Sequence, residues 1–269
     1  MGRIFVIMTV YMSWASRRQS QYVAGVLVFL GLIALIIAWP TITKKPTCTD
    51  GKQNGTEKGV DCGGLCQRVC NSEASEPQIL WKRAFPVTGN VYNLVALVQN
   101  TNKNAGIERI DYEFKIYDTN NLLIGRRQGS TYIPPNQQFA IFEPRFDSGT
   151  AEVRSVSFDF ISPFIWVKKD PTIQTLPIHV ENVVMDSDPS SPALNATITN
   201  DSIYNLPEFD VVAILYDADH EAINVSKTHK DGLASNSNSL LLFTWPQPFG
   251  SDPVTHDILV EINPFSTSF

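Results

Sequence analysis

Hydrophobic residues follow two different patterns along this chain: one unbroken run near the N-terminus, and many short alternating runs further on. The unbroken run, YVAGVLVFLGLIALIIAW over residues 22–39, contains no charged residue. Such a run predicts a membrane-spanning helix, which at about 1.5 Å per residue would measure roughly 27 Å, enough to cross a thin hydrocarbon core. Tyr22 and Trp39 stand at its two ends, where aromatic rings prefer the membrane interface, and Pro40 is expected to end the helix.

After residue 75 the pattern is typical of β-strands. Residues 110–116, 155–160 and 194–198 alternate apolar and polar side chains, so one face of each is expected to be buried and the other to face water. Two further runs, 211–216 and 240–243, are almost continuously apolar, which predicts strands covered on both faces. Because Asn, Asp, Gly and Pro punctuate these runs and helix signals are scarce, we expect a mainly β fold of antiparallel strands.

The β-rich region contains an internal repeat at an offset of about 100 residues. In its first half, NLVALVQN is followed by IDYEFKIYD. In its second half, the corresponding segments ALNATITN and FDVVAILYD follow in the same order. We therefore predict two tandem sandwiches of about 90 residues each, at residues 76–166 and 167–269, with a proline-containing joint at residues 162–177. The corresponding landmarks are Asn100 with Asn200, Tyr117 with Tyr216, Asp118 with Asp217, Pro144 with Pro246, and Pro163 with Pro264.

A Tyr-Asp pair closes one strand in each half. Short Asp side chains bond nearby backbone amides, so these aspartates are expected to stabilise the turn that follows the strand. The segment FKIYD at residues 114–118 resembles the signature of FxLYD domains, and AILYD at residues 213–217 keeps its last three residues. The resemblance implies immunoglobulin-like sandwiches on bacterial or archaeal envelope proteins, usually without catalysis. The signature positions are Phe114, Tyr117, Asp118, Leu215, Tyr216 and Asp217.

All the cysteines lie in residues 40–75, directly after the predicted helix; they are Cys48, Cys62, Cys66 and Cys70. An even cluster in a glycine-rich loop beside a membrane is typical of an oxidising compartment. Basic residues flank the apolar run almost equally, so the cysteines decide the orientation. Residues 1–21 are expected to be cytoplasmic or interfacial, and the region after the helix extracytoplasmic. No small-x-small cleavage site precedes Pro40, which favours an uncleaved signal anchor over a signal peptide.

Residues 48–66 match the pattern CxDGxxNGxExGxDCGGxC, which is similar to a cysteine-rich motif of extracellular and surface-anchored bacterial proteins. The arrangement of anchor, motif and paired sandwiches resembles envelope proteins of candidate-phyla bacteria. Two disulfides are the favoured interpretation, with three pairings open, and a zinc site of four thiolates is the alternative. Calcium is compatible with the disulfides, although the same oxygen groups also cap turns. The candidate calcium ligands are Asp50, Asn54, Glu57 and Asp61.

The sequence shows no catalytic motif, and its histidines are scattered. His256, followed by Asp257, would need a converging serine to form a triad. A formal net charge of −6, without a basic run longer than two, argues against nucleic acid as a partner. We expect a non-enzymatic envelope protein, held in the lipid bilayer by residues 22–39, whose sandwiches serve protein binding, adhesion or surface assembly with a protein partner at the cell surface. The alternative is an accessory subunit of a membrane enzyme or secretion complex.

Overall fold

The structure is a computed structural model that describes residues 14–42, 47–169, 176–186 and 190–266. Expectations for the first thirteen residues, and for the middle of the joint between the sandwiches, lie outside these ranges. Within them the chain forms one long α-helix, one short 3₁₀ turn and thirteen β-strands, and the strands pair antiparallel. The expectation of a mainly β chain with one apolar N-terminal helix is confirmed.

Helix α1 spans Trp14–Ile42, and its apolar stretch Ser16–Trp39 is long and apolar enough to cross a membrane, a property that membrane anchors share with signal sequences. The most apolar window of this stretch has no residue buried against the rest of the chain. The prediction that Pro40 ends the helix is wrong, because α1 continues to Ile42. A proline removes its own N–H donor and crowds the preceding turn, which weakens a helix but does not always end it.

The strands of the first half are β1 Gln78–Thr88, β2 Val91–Gln99, β3 Ala105–Asp118, β4 Leu123–Ile133, β5 Gln138–Asp147, β6 Val153–Phe160 and β7 Val167–Lys168. Those of the second half are β8 Ile178–Met185, β9 Ala193–Asn200, β10 Phe209–Tyr216, β11 Ala222–Lys230, β12 Ser237–Thr244 and β13 Thr255–Glu261. The first half contains the sheets β1-β2-β5 and β4-β3-β6, and β7 pairs with β3. The second contains β8-β9-β12 and β11-β10-β13, so the order of six strands is the same in both halves.

Apolar side chains fill three separate interfaces between these sheets. One lies between the two sheets of the first half and one between the two sheets of the second half. The third joins the halves, because Phe85, Val95 and Leu97 of the β1-β2-β5 sheet pack with Val212 and Ile214 of β10. We call this third interface the seam. It fixes the two sandwiches against each other through apolar contact.

Strand β10 is covered on both faces, as the apolar run 211–216 predicts. Val211, Ala213 and Leu215 pack in the core of the second sandwich, whereas Val212 and Ile214 pack in the seam. All of these side chains are fully buried. A strand between two other sheets has no face left for water, which is why its sequence does not alternate.

Residues 240–243 do not follow the same prediction. Leu241 and Phe243 are fully buried, but Leu240 is 61% exposed and Leu242 is 50% exposed. Strand β12 lies at the edge of the sheet β8-β9-β12, and only one face of that sheet packs on the second core. Leu240 and Leu242 therefore face outward. The apolar composition of a strand does not by itself determine whether a neighbouring sheet covers both of its faces.

The first sandwich extends slightly beyond the predicted boundary at residue 166. Trp166 is 1% exposed and belongs to the first core. Val167 and Lys168 of β7 pair with Gly106 and Ala105 of β3. The first two residues of the range 167–269 thus continue the first sandwich, because β3 is longer than β4 and β6 and offers a further pairing edge.

Candidate functional site

The cysteines form two disulfide bonds, Cys48–Cys66 and Cys62–Cys70, within residues 47–75, which we call the disulfide segment. No described cysteine is free, so the zinc alternative is wrong: its thiolate ligands are already consumed. The two bonds interleave along the chain, since Cys62 lies inside the loop closed by the first bond and Cys70 outside it. Each crosslink of this kind restricts the unfolded chain and contributes about 2–4 kcal/mol to stability.

The disulfide segment is docked on the first sandwich through backbone pairing. The Val69 N–H donates to the Trp166 carbonyl at 2.9 Å, and the Lys168 N–H donates to the Gln67 carbonyl at 2.8 Å. The Asn102 side chain adds an amide clamp, accepting from the N–H of residue 75 at 2.9 Å and donating to its carbonyl at 2.7 Å. The segment is therefore a fixed extension of the first sandwich.

All four candidate calcium ligands make hydrogen bonds within the disulfide segment itself. Asp50 accepts from the Lys52 N–H at 3.0 Å and from Asn54 Nδ2 at 2.9 Å. The hydrogen bond from Asn54 holds the pKa of the Asp50 carboxyl below its ordinary value. Asp61 accepts from the Gly51 N–H at 3.1 and 3.0 Å. These are the turn-capping contacts that the simpler interpretation of the motif predicts.

Glu57, the remaining acid of the calcium set, accepts from the Asn54 N–H at 3.1 Å. Among the described residues it belongs to one group of three potential metal ligands within 4.8 Å, and its companions are Cys48 and Cys66. Those two sulfurs are bonded to each other and do not act as thiolate ligands. The structure thus groups Glu57 with a disulfide rather than with Asp50 and Asp61, and calcium at these four residues stays a prediction.

The aspartates of the two Tyr-Asp pairs perform the same local role. Asp118 Oδ1 accepts from the N–H groups two and four residues later, both at 2.8 Å. Asp217 Oδ1 does the same, at 3.0 and 2.9 Å. Each turn then contains a residue with left-handed backbone, Asn121 at φ 60° and His220 at φ 59°. Both aspartates stabilise hairpin turns, as their sequence context predicts.

The other signature residues lie in or beside the cores. Phe114 and Leu215 are fully buried. Tyr117 and Tyr216 are partly buried next to the turns. Burial, together with the nearby Asp257 carboxylate, raises the pKa of Tyr216 above its ordinary value. The signature therefore supports packing and turn formation in both halves.

Asn100 and Asn200 also occupy equivalent places at the ends of β2 and β9. Both are buried, with 1% and 0% exposure. Asn100 Nδ2 donates to the Pro134 carbonyl at 2.8 Å, and Asn200 Nδ2 donates to the Ala234 carbonyl at 3.0 Å. In each case Oδ1 accepts from the N–H two residues later, at 3.0 and 3.1 Å. Each buried asparagine thereby satisfies its own donor and acceptor groups by tying together neighbouring loops.

A group of ionisable side chains lies at one edge of the seam. Asp210 accepts from Lys227 Nζ at 2.9 Å and contacts His229 Nδ1 at 2.8 Å. Burial opposes ionisation of Asp210, but these two hydrogen bonds keep its pKa below the ordinary value. The hydrogen bond to Asp210 in turn raises the pKa of His229. The fold thus brings His229 within hydrogen-bond distance of Asp210, a pair that is not adjacent in sequence, whereas the sequence draws attention to the neighbours His256 and Asp257.

Glu261, at the end of β13, connects the two sandwiches. Its carboxylate accepts a hydrogen bond from the Ala140 N–H of β5, an edge strand of the first sandwich. Burial raises the pKa of Glu261 to about 8. A cavity of about 210 Å³ beside it is also lined by Asp210, Lys227 and Tyr132. The sequence gives one indication that Glu261 faces the seam. Alternate residues of a strand share a face, so Glu261 lies on the same face of β13 as Leu259, which packs in the seam.

The ring of His229 has carboxylates as its charged neighbours, Asp210 at 2.8 Å and Asp231 at 3.7 Å. His179, on β8, has its Nε2 3.9 Å from the Asp201 carboxylate. A nucleophile and base arranged for acyl transfer would require a hydroxyl or thiol within about 3.2 Å of the imidazole. The contacts described for these histidines are instead contacts with carboxylates at the surface.

No protein-family model matches this chain, and no curated protein matches it. A search of solved structures finds the crystal structure of red sea bream transglutaminase, at 13% sequence identity and a TM-score of 0.23. The match covers 70% of this chain and 31% of the transglutaminase, so the chain spans less than a third of that protein. A similarity of this size does not establish a common fold, and the resemblance to FxLYD domains stays a prediction.

Proposed function

We propose that this chain is a single-pass membrane-anchored protein of the cell envelope. Its region after residue 46 is extracytoplasmic, contains a tandem repeat of two sandwiches, and serves protein binding, adhesion or surface assembly without catalysis. The observation that carries the proposal is the order of elements: an uncovered apolar helix is followed, only six residues after Ile42, by the first disulfide-bonded cysteine.

The exposure of α1 supports the anchor. Leu27, Phe29 and Ile36 are 64%, 63% and 71% exposed, and the apolar side chains are distributed around the whole helix. A helix that is apolar all round and has no protein cover is stable in hydrocarbon, where its backbone groups are paired internally. Burial in lipid accounts for this surface without a second protein.

The disulfides support the orientation. Structural disulfides persist in oxidising compartments and are rare in the cytosol. Both bonds lie in the segment that follows α1, and that segment is paired with the first sandwich. The sandwiches are joined in turn through the seam. The whole described region after α1 is therefore expected to lie on the same side of the membrane as the disulfides.

The contacts of the described residues support a binding rather than a catalytic role. The chemistry-bearing residues found here cap turns, tie loops together or form surface ion pairs. Exposed apolar side chains are nevertheless present on the sheet β8-β9-β12. There Leu242 of β12 and Val184 of β8 both pair with Asn195 of β9, one on each side of it. This arrangement supports contact with another protein at that end of the molecule.

The proposal is tested by photocrosslinking in intact cells, with a reactive amino acid placed at position 242 in one variant and at position 29 in another. We expect protein adducts from position 242 and lipid adducts from position 29. Protein adducts confined to position 29 would favour the accessory-subunit alternative, because the helix would then pack on partner helices. An absence of protein adducts at both positions would contradict a protein-binding role.

A further inference from the structure

A groove of about 590 Å³ lies where the disulfide segment meets the first sandwich. Its lining contains the lysines Lys58, Lys103, Lys168 and Lys169 and the acid Glu73. We call it the lysine groove. In a chain whose formal net charge is −6, a concave surface with four ammonium groups and one carboxylate is a local reversal of sign.

The single acid of the groove is already paired. Glu73 forms an ion pair with Lys58, and Lys168 Nζ donates to the Gly64 carbonyl. Within the described residues neither Lys103 nor Lys169 forms an ion pair. Lys168 also has no ion pair among these residues, because its acceptor is a neutral carbonyl, and the Lys169 ammonium lies 6.0 Å from the centroid of the Phe265 ring. Three of the four lysine charges are therefore not neutralised by a carboxylate of the described residues, and clefts lined by one sign of charge concentrate ions of the opposite sign.

The walls of the groove are held by covalent and backbone bonds. Lys58 donates its N–H to the carbonyl of Cys62 at 3.0 Å, and Cys62 is bonded to Cys70. On the opposite wall Lys168 belongs to β7 and donates its N–H to the Gln67 carbonyl at 2.8 Å. The Lys169 N–H likewise donates to the Asn104 carbonyl at 3.0 Å, so the backbones of Lys58, Lys168 and Lys169 are held in place. The disulfide Cys62–Cys70 is part of the framework of the site.

The position of the groove in the chain indicates which anion is available. Thr47 begins the disulfide segment five residues after Ile42, and an extended chain covers at most about 3.6 Å per residue, or roughly 18 Å in total. If α1 spans the membrane, as the proposed function requires, the disulfide segment, which supplies one wall of the groove, begins within that distance of the end of α1 and so close to the lipid headgroups. We propose that the lysine groove binds a phosphate-bearing anion, namely the headgroup of an anionic phospholipid, and this choice of source rests on the proposed function.

The test uses the full chain in micelles of a neutral, phosphate-free detergent, titrated by calorimetry with a short-chain phosphatidylglycerol, a short-chain phosphatidylcholine or inorganic phosphate. We expect saturable binding of the phosphatidylglycerol and weak or no binding of the zwitterionic lipid. Each lysine at an anionic lipid surface contributes roughly a five-fold gain in affinity, so the double variant Lys103→Gln/Lys169→Gln should bind roughly 25-fold more weakly. The control Lys52→Gln/Lys82→Gln removes the same charge outside the groove and should bind as the unaltered chain does.

The possible results separate the groove from the anchor. Binding of inorganic phosphate without binding of the phosphatidylglycerol overturns the headgroup assignment. Equal losses in both double variants, or no saturable binding of any anion, overturn the groove as a site. These measurements in micelles do not depend on membrane orientation, so a cytoplasmic location of the disulfide segment would refute the proposed function while leaving binding measurable. Reduction of Cys62–Cys70 should abolish binding, because it releases one wall.

Discussion

Replacement of Glu261 by glutamine is expected to change how the stability of the protein depends on pH. The Glu261 carboxylate accepts from Ala140 across the seam, and Lys227, Asp210 and Tyr132 line the cavity beside it. Burial is the main reason that its pKa is raised to about 8, with a smaller effect of Asp210 in the same direction, while the Ala140 N–H and Lys227 oppose it. The folded protein therefore holds this proton more tightly than the unfolded chain does.

The sign of the effect follows from this difference in proton affinity. A carboxyl with a raised pKa gives its full contribution to stability below pH 4.5, and this contribution is lost as the pH rises through about 8. The pKa of Glu261 rises from 4.5 to about 8. At about 1.4 kcal/mol per pH unit, this difference limits the contribution of Glu261 to the free energy of unfolding to about 5 kcal/mol. Because the Glu261 side chain keeps some contact with solvent, we expect about 2–3 kcal/mol. Glu261→Gln keeps an oxygen acceptor for Ala140 but removes the titration.

The assay is urea unfolding of the full chain in neutral micelles between pH 5 and pH 9, followed by tryptophan fluorescence. The unaltered protein should lose stability over this range, and Glu261→Gln should lose about 2–3 kcal/mol less. His229 contributes a residual slope of the same sign, because its pKa is also raised and its charged form is lost as the pH increases. Glu152→Gln, at an exposed acid, should behave as the unaltered chain. Identical pH profiles for Glu261→Gln and the unaltered protein would refute the reasoning.

The remaining predictions concern the seam, a loop tie and a disulfide. Ile214→Ala should lower the free energy of unfolding by about 2–4 kcal/mol, since it empties buried space between the sandwiches, whereas Leu242→Ala should change it by less than about 0.5 kcal/mol; equal effects would contradict the seam. Asn200→Ala should cost about 2 kcal/mol in the same assay, because the buried Ser202 N–H loses its acceptor. Removal of one crosslink by Cys62→Ser/Cys70→Ser should lower thermal unfolding stability by about 2–4 kcal/mol, and an unchanged midpoint would show that the segment does not need it.

Local patterns in the sequence predict much of this fold. The uninterrupted apolar run predicts α1, because lipid or protein must cover every face of such a helix. The alternation in residues 110–116 predicts a strand, and in the structure β3 buries Ile110, Phe114 and Ile116 on its inner face. The aspartates at 118 and 217 predict turns because their hydrogen bonds reach only a few residues along the chain. Each of these features depends on neighbours in sequence.

Features that depend on distant partners are harder to predict. The runs 211–216 and 240–243 look alike in composition. Strand β10 nevertheless has another sheet packed on each of its faces, whereas β12 has a sheet packed on only one face. The disulfide pairing depends on how the loop folds, and all three pairings satisfy the spacing. Glu261 meets Ala140 across a distance of 121 residues, so no local pattern identifies its partner.

The central claim is that α1 holds the disulfide segment and both sandwiches outside the cytoplasm. The most direct measurement places an epitope tag after the last residue and compares antibody binding on sealed and permeabilised cells, together with mass spectrometry of unreduced peptides. We expect full binding on sealed cells, and recovery of the peptides that join Cys48 to Cys66 and Cys62 to Cys70. Antibody binding that requires permeabilisation, with these cysteines recovered as free thiols, would contradict the account.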